Sequence, residues 1–320
     1  MNVTTQPPIG FIYSCFVKKA QFFYIRGPVP TNIFVNHIIC CLVNVLLALT
    51  TTFLNSVTVL TYWKSPLLRG KVSYFTIMLL SLADLGVGMV GIPVFILQLA
   101  KEISGRGSCA VSAFADILST IPIGMSLVVL QVMTIERYIG VIHPIFHRTK
   151  VTKGRLLFLT IILWLLFFLR ICLRFYIGDG VYKLIISIDI LVLAILSLTV
   201  YTRIFCAWRT SRRTSMSNTR SKESSSESQA NSKRKSGFLQ NVKQAKTFFI
   251  VVVCCFICII PQAVVQSGSI PTLEAGAALA YWSATFIMMN SSVNSLVLFW
   301  RNQSLRNEAR RILQQLFYRW

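Results

Sequence analysis

Negative charge is what this chain lacks most. Asp and Glu number 10 against 32 Lys and Arg in 320 residues, and only 13% of all residues are charged. A soluble domain carries about 25% charged residues. This scarcity, together with 54% hydrophobic residues and a mean hydropathy of +0.65, excludes a soluble domain and implies an integral membrane protein with one helical domain. Histidine is also sparse, with His37, His143 and His147 the only three. There is no metal-ligand spacing, no Gly-rich phosphate loop and no nucleophile–base pair, so the chain does not read as an enzyme. Residues 1–10 are polar and contain proline, with no basic region leading into an apolar core, so no signal peptide is expected. The aromatic stretch 11–25 is broken by Lys18, Lys19 and Gln21 and is not a membrane span.

What is present is a set of seven apolar runs, each long enough to cross a bilayer: roughly 38–62, 73–98, 111–136, 156–177, 181–206, 246–267 and 276–300. Backbone polar groups must be satisfied inside lipid, so these runs are helices. Gly178-Asp179-Gly180 makes the connection between the fourth and fifth a tight turn. The connections 64–71, 148–155 and 203–246, with the segment from 301 onward, hold 23 of the 32 Lys and Arg. The positive-inside rule then predicts an extracellular N-terminus (1–37) and a cytoplasmic C-terminus. The net charge of +22 is accounted for by these flanks. It needs no nucleic-acid partner, because basic residues of such a binder would not lie between membrane-length runs. Residues 210–241 form the largest inner connection, and its Ser-, Asn- and Arg-rich composition predicts disorder. Its Ser224–Ser228 stretch reads either as a plain connector or as a phosphorylation segment. Over 303–317, Leu305, Ala309, Ile312, Leu313 and Leu316 recur at helical spacing among arginines, which predicts a short amphipathic eighth helix on the inner leaflet of the lipid bilayer. Asn2-Val3-Thr4 is an acceptor triplet for a glycan if its end is extracellular.

The few charges inside the runs stand out individually. Glu136-Arg137-Tyr138 closes the third run, Asp84 lies mid-way in the second, and Asp116, Arg170, Arg174 and Asp189 lie in the third to fifth. Charges at such depths are costly unless partnered, and each marks a candidate site. Together with Asn55, Trp164, Tyr201, Cys258-Ile259-Ile260-Pro261 and Asn290-Ser291-Ser292-Val293-Asn294-Ser295, the pattern resembles the rhodopsin-like (class A) G protein-coupled receptors over most of 38–318. The resemblance implies an all-α, seven-helix receptor that answers an extracellular ligand through a heterotrimeric G protein. Glu136, Arg137, Tyr138 and Tyr201 would form the switch. Asp84, Ser126, Asn290 or Ser291, and Asn294 would form a sodium pocket, and oxygen ligands suit that cation. No retinal is implied, because Met288 occupies the place of the opsin lysine. Ser119 stands where amine receptors carry an aspartate.

The ligand-side candidates are Asp116, Ser119, Arg170, Arg174, Asp189, Ile259 and Met288. The four charged ones read either as structural ion pairs or as a charged floor for a polar ligand. The departures are Ile259 for tryptophan, Ser295 for proline and Leu298 for tyrosine. They keep a second reading open: a non-signalling decoy or a partner subunit of another receptor. The sequence has no cysteine between the fourth and fifth helices, so the family's usual outer disulfide is not expected. Cys15 and Cys109 are the two cysteines expected outside, and they are either bridged or free thiols.

Overall fold

The computed structural model describes residues 3–5, 12–217, 225–266 and 273–317. A three-stranded antiparallel sheet, β1 (Val3–Thr5), β2 (Ile12–Val17) and β3 (Ala20–Ile25), precedes the helices. The helical order is α1 (Thr31–Lys64), α2 (Pro66–Arg69), α3 (Val72–Gly86), α4 (Ile92–Ile103), α5 (Cys109–Ile142), α6 (Pro144–Lys150), α7 (Lys153–Ile177), α8 (Asp179–Ser217), α9 (Ser225–Gln266), α10 (Leu273–Arg301) and α11 (Gln303–Phe317). A π-turn over Val87–Gly91 joins α3 to α4, so these two make one pass. The passes are therefore α1, α3–α4, α5, α7, α8, α9 and α10, a seven-helix membrane bundle. Among the described residues, six of them are apolar and long enough to span. The seventh, α10, carries a polar run from Asn290 to Ser295 that turns inward.

The lipid-facing surface follows helical periodicity. On α1, Leu42, Leu46, Leu49 and Phe53 form an exposed stripe. The main core gathers Leu130, Met133, Tyr201, Phe248, Val252 and Leu298 toward the end of the bundle that holds Arg137. Passes three and four approach closely at Gly124, where an added Cβ would fall inside the Phe167 ring. The Trp164 indole donates to the Met125 carbonyl nearby (3.2 Å).

Three boundaries differ from the expectation. The first pass begins at Thr31 rather than 38, because Pro30 ends the preceding extended chain and His37 is buried within the helix. The connection 210–241 is helical up to Ser217 and again from Ser225. Its Arg, Lys, Gln and Ala residues propagate helix readily from an adjoining span. Residues 218–224 lie outside the described residues, and so does the acceptor Asn2. The third difference is the sheet, which the sequence reading did not foresee.

Candidate functional site

At the Arg137 end of the bundle, α5 carries Glu136 and Arg137 inward together. Arg137 Nη2 lies 2.7 Å from Glu136 Oε2, with side-chain exposures of 3% and 1%. The second carboxylate oxygen is held by His147 Nε2, also at 2.7 Å. His147 comes from α6, which Pro144 starts and which folds back along α5. Gly140 lies beneath the imidazole, where a Cβ would make ordinary van der Waals contact with the ring (3.5 Å). The Arg137 guanidinium also stacks over the Phe248 ring on pass six (4.8 Å to the centroid). Tyr201 on pass five is buried in the same core, 5.1 Å from Phe249 between ring centroids, with Thr134 and Arg137 as its polar neighbours. Tyr138 is only partly buried and packs edge-on against His143. The second partner of Glu136 was not foreseen; the signal was a histidine placed just beyond the proline that reverses the chain.

In the middle of the bundle, Asp84 is fully buried. Ser126 Oγ donates to its Oδ1 (2.6 Å) and Asn294 Nδ2 to its Oδ2 (3.2 Å). Ser291 adds a further hydrogen bond. The side-chain amide oxygens (Oδ1) of Asn290 and Asn294 are buried without a hydrogen-bond partner. Orphaned acceptors beside a carboxylate are what a hard cation would satisfy. One turn further along α10, Ser295 Oγ donates to Asn55 Oδ1 (2.5 Å), and Ser292 meets Thr51 (2.5 Å). Leu298, buried at 2%, fills core volume beyond them. Without a proline at 295, α10 keeps an unbroken helical ladder and zips to α1 through hydroxyls.

At the opposite, hairpin end, the charged candidates pair. Arg174 binds Asp116 and, through Nε, Asp179 (3.4 Å); Arg170 binds Asp189. Cys15 on β2 and Cys109 at the start of α5 are joined by a disulfide. Two ligand-side candidates stand elsewhere. Ser119 turns its hydroxyl back to the Ala115 carbonyl (2.7 Å) and faces Gly91 on pass two. Met288 is buried at 1% among Cys40, Ile92 and Phe95. Neither meets the ion pairs, because their helical faces point toward passes one and two. Ile259 lines a cavity of only about 30 Å³ with Leu127, Ile190 and Phe256.

A fourth cluster went unnoticed in the sequence. Glu102, 1% exposed, is held by His37 Nε2 (3.3 Å), Gln98 Nε2 (3.1 Å) and Tyr281 Oη (2.5 Å). It ties passes one, two and seven together near the hairpin end.

A seven-pass bundle with a buried Glu–Arg pair closing its third pass and an acid at its centre is the arrangement that the resemblance to membrane receptors implies. The comparisons with known proteins agree. Residues 54–184 match the family model of the 7 transmembrane receptor (rhodopsin family). A stretch of 112 residues is 30% identical to a QRFP-like peptide receptor of Branchiostoma floridae. That stretch is 34% of this chain and 28% of the relative's length. Over residues 54–184, less than half of its length, the chain is thus similar to the rhodopsin family of seven-transmembrane receptors.

Proposed function

We propose that this protein is a signalling receptor of the cell membrane with an extracellular hairpin end and an intracellular Arg137 end. A ligand bound at the hairpin end shifts a pre-existing equilibrium between resting and active bundles. In the resting bundle Glu136 holds Arg137. In the active bundle the passes separate at that end, Arg137 is released with Tyr201 beside it, and a heterotrimeric G protein enters. The observation that carries this reading is the buried Glu136–Arg137 pair, 2.7 Å apart in the wall of the core. Two charges kept dry by packing are stable only as a pair, so separating the passes hydrates and frees the arginine. The excess of Lys and Arg at the connections of that end supports the orientation.

Asp84, Ser126, Asn290, Ser291 and Asn294 would hold a sodium ion, which supplies charge compensation for Asp84 in the resting bundle. The ligand meets polar and charged walls at the hairpin end, formed by Asp116, Asp189 and the groups around Arg174. The similarity to a peptide receptor of Branchiostoma floridae favours a peptide. The test is nucleotide exchange on a panel of G proteins in membranes containing the receptor, with Arg137→Ala as control. Exchange that this substitution abolishes supports the reading.

A second reading, a non-signalling decoy or partner subunit, draws on the Ser295–Asn55 bond, which fastens pass seven to pass one where a proline would loosen it. Absence of exchange with every G protein would favour it.

A further inference from the structure

One residue, Gly178, separates α7 from α8, so no loop from there covers the hairpin end. The N-terminal sheet takes that place. Its attachment is covalent through Cys15–Cys109, apolar where Val17, Ala20 and Phe22 pack with Ala113 and Phe175, and polar at its edges. Ser112 Oγ of α5 donates to the Phe23 carbonyl (2.6 Å), and Lys19 N donates to the Phe175 carbonyl of α7 (3.2 Å). At the β2–β3 turn Lys18 adopts φ +56°. L side chains rarely hold this left-handed conformation unless surroundings impose it. Here the Lys18 ammonium lies over the Tyr176 ring and bonds its hydroxyl (2.8 Å).

The consequence falls on Arg174. Its Nη2 donates to the Gln21 carbonyl of β3 (3.2 Å), and its guanidinium lies 4.8 Å from the Phe22 ring centroid and 5.2 Å from that of Tyr182. The remaining nitrogens go to Asp116 and Asp179. All three guanidinium nitrogens are engaged, and the side chain is only 17% exposed. Asp116 and Asp189 are different: each gives one oxygen to its arginine and stays 43% and 45% exposed. Formal charge in the cluster is −3 from Asp116, Asp179 and Asp189 against +2 from Arg170 and Arg174, a net −1. Around Arg174, what is left for a visitor is carboxylate edge, not guanidinium; Arg170, less exposed than the aspartate it binds (25% against 45%), lies over the Phe167 ring.

We propose that the N-terminal hairpin is the specificity-determining wall of the ligand site. By holding Arg174 against Asp116 and Asp179, it leaves the open carboxylate edges of Asp116 and Asp189 to receive a cationic group and turn anions away. The inference rests on the receptor reading and orientation above, and it names the ligand's charge.

The test reads the site's charge selectivity without any native ligand. Tyr182, Ile186 and Asp189 share one face of α8 at i, i+4, i+7 spacing. Ile186→Cys on surface-expressed receptor is treated with impermeant methanethiosulfonates, one bearing trimethylammonium and one bearing sulfonate. Rates are corrected for reactivity with a free thiol and for the receptor lacking the substitution. The cationic reagent should lead by about tenfold, the lower end of electrostatic focusing. The lead should collapse toward parity when the hairpin is released by Cys15→Ser with Cys109→Ser. Phe22→Ala, which keeps the disulfide, gives the same reading if the double variant does not reach the surface. Equal rates for the two reagents in the parent, or a lead that survives both hairpin variants, overturns the proposal. The assay does not depend on G protein coupling, so loss of nucleotide exchange sinks the receptor reading whatever the reagents show, and loss of charge selectivity with exchange intact sinks this proposal alone.

Discussion

His37 and Glu102 lie 65 residues apart in sequence and 3.3 Å apart in the fold, each only 1% exposed. The histidine's other ring nitrogen is 3.0 Å from the Ile33 carbonyl within α1, so the imidazole is pinned from both sides. Gln98 and Tyr281 complete the shell around the carboxylate. Glu102→Ala leaves three buried polar groups unsatisfied at once, and breaking a buried pair from one side costs about 3–5 kcal/mol. Glu102→Gln retains a polar side chain of the same shape and should cost less. Thermal unfolding of purified receptor in detergent should therefore rank parent, Gln and Ala in falling order. An Ala variant as stable as the parent removes this cluster from the structural account.

Glu136 has two partners, and they come from different elements. In the proposed activation Arg137 is released, while His147 on α6 holds the second carboxylate oxygen at 2.7 Å and keeps the acid aimed at the arginine. His147→Ala removes a hydrogen bond to a charged group, an interaction of about 1.5–3 kcal/mol. If the bond exists only in the resting bundle, the active fraction rises about tenfold or more. Basal nucleotide exchange should increase accordingly, and Arg137→Ala should abolish the increase. Unchanged basal exchange in His147→Ala would mean that the histidine merely braces α6.

The proposed sodium pocket makes a prediction with an ionic readout. Asp84→Asn keeps a hydrogen-bonding side chain but removes the charge that a cation needs. Basal exchange in the parent should fall as sodium replaces a bulky organic cation at constant ionic strength, because the ion stabilises the resting bundle by mass action. In Asp84→Asn the response should vanish. A variant that keeps the full sodium response would place the ion elsewhere.

How much of this was legible beforehand depends on where each residue sits. Asp84 and Arg137 were readable because a charge in or beside an apolar run is rare and stands alone. Glu102 was hidden because it lies at the end of a run next to Lys101, where interfacial charges are ordinary, and its partner is on another pass. The hairpin was hidden for a local reason. Its strands are rich in aromatic and β-branched residues, but the turn is Lys18-Lys19, without the Gly or Asn that marks such turns. The resemblance puts Met288 and Ser119 on the ligand side, at the places of the opsin lysine and the amine-receptor aspartate, which amounts to a depth along each helix. Depth fixes the layer of a helical residue but not the neighbour it faces.

Gly124 tests the packing of passes three and four. A Cβ built there would overlap the Phe167 ring, and the ring is only 8% exposed with Phe168 edge-on beside it. The ring cannot swing outward without giving up the stack between its face and the Arg170 guanidinium (4.9 Å). Overpacking of this kind costs about 1–3 kcal/mol. The displaced arginine would in turn strain its pair with Asp189 on pass five. Gly124→Ala should therefore lower the unfolding temperature, whereas Phe167→Leu alone opens a smaller defect. The informative comparison is the double variant. Leucine vacates the volume that the new methyl needs, so the double should be more stable than the sum of the two singles implies, by about 0.5–3 kcal/mol. Strict additivity would mean that the two helices relax apart at this crossing instead of clashing. Arg170 would then keep its place beside Asp189 whatever residue stands at 124.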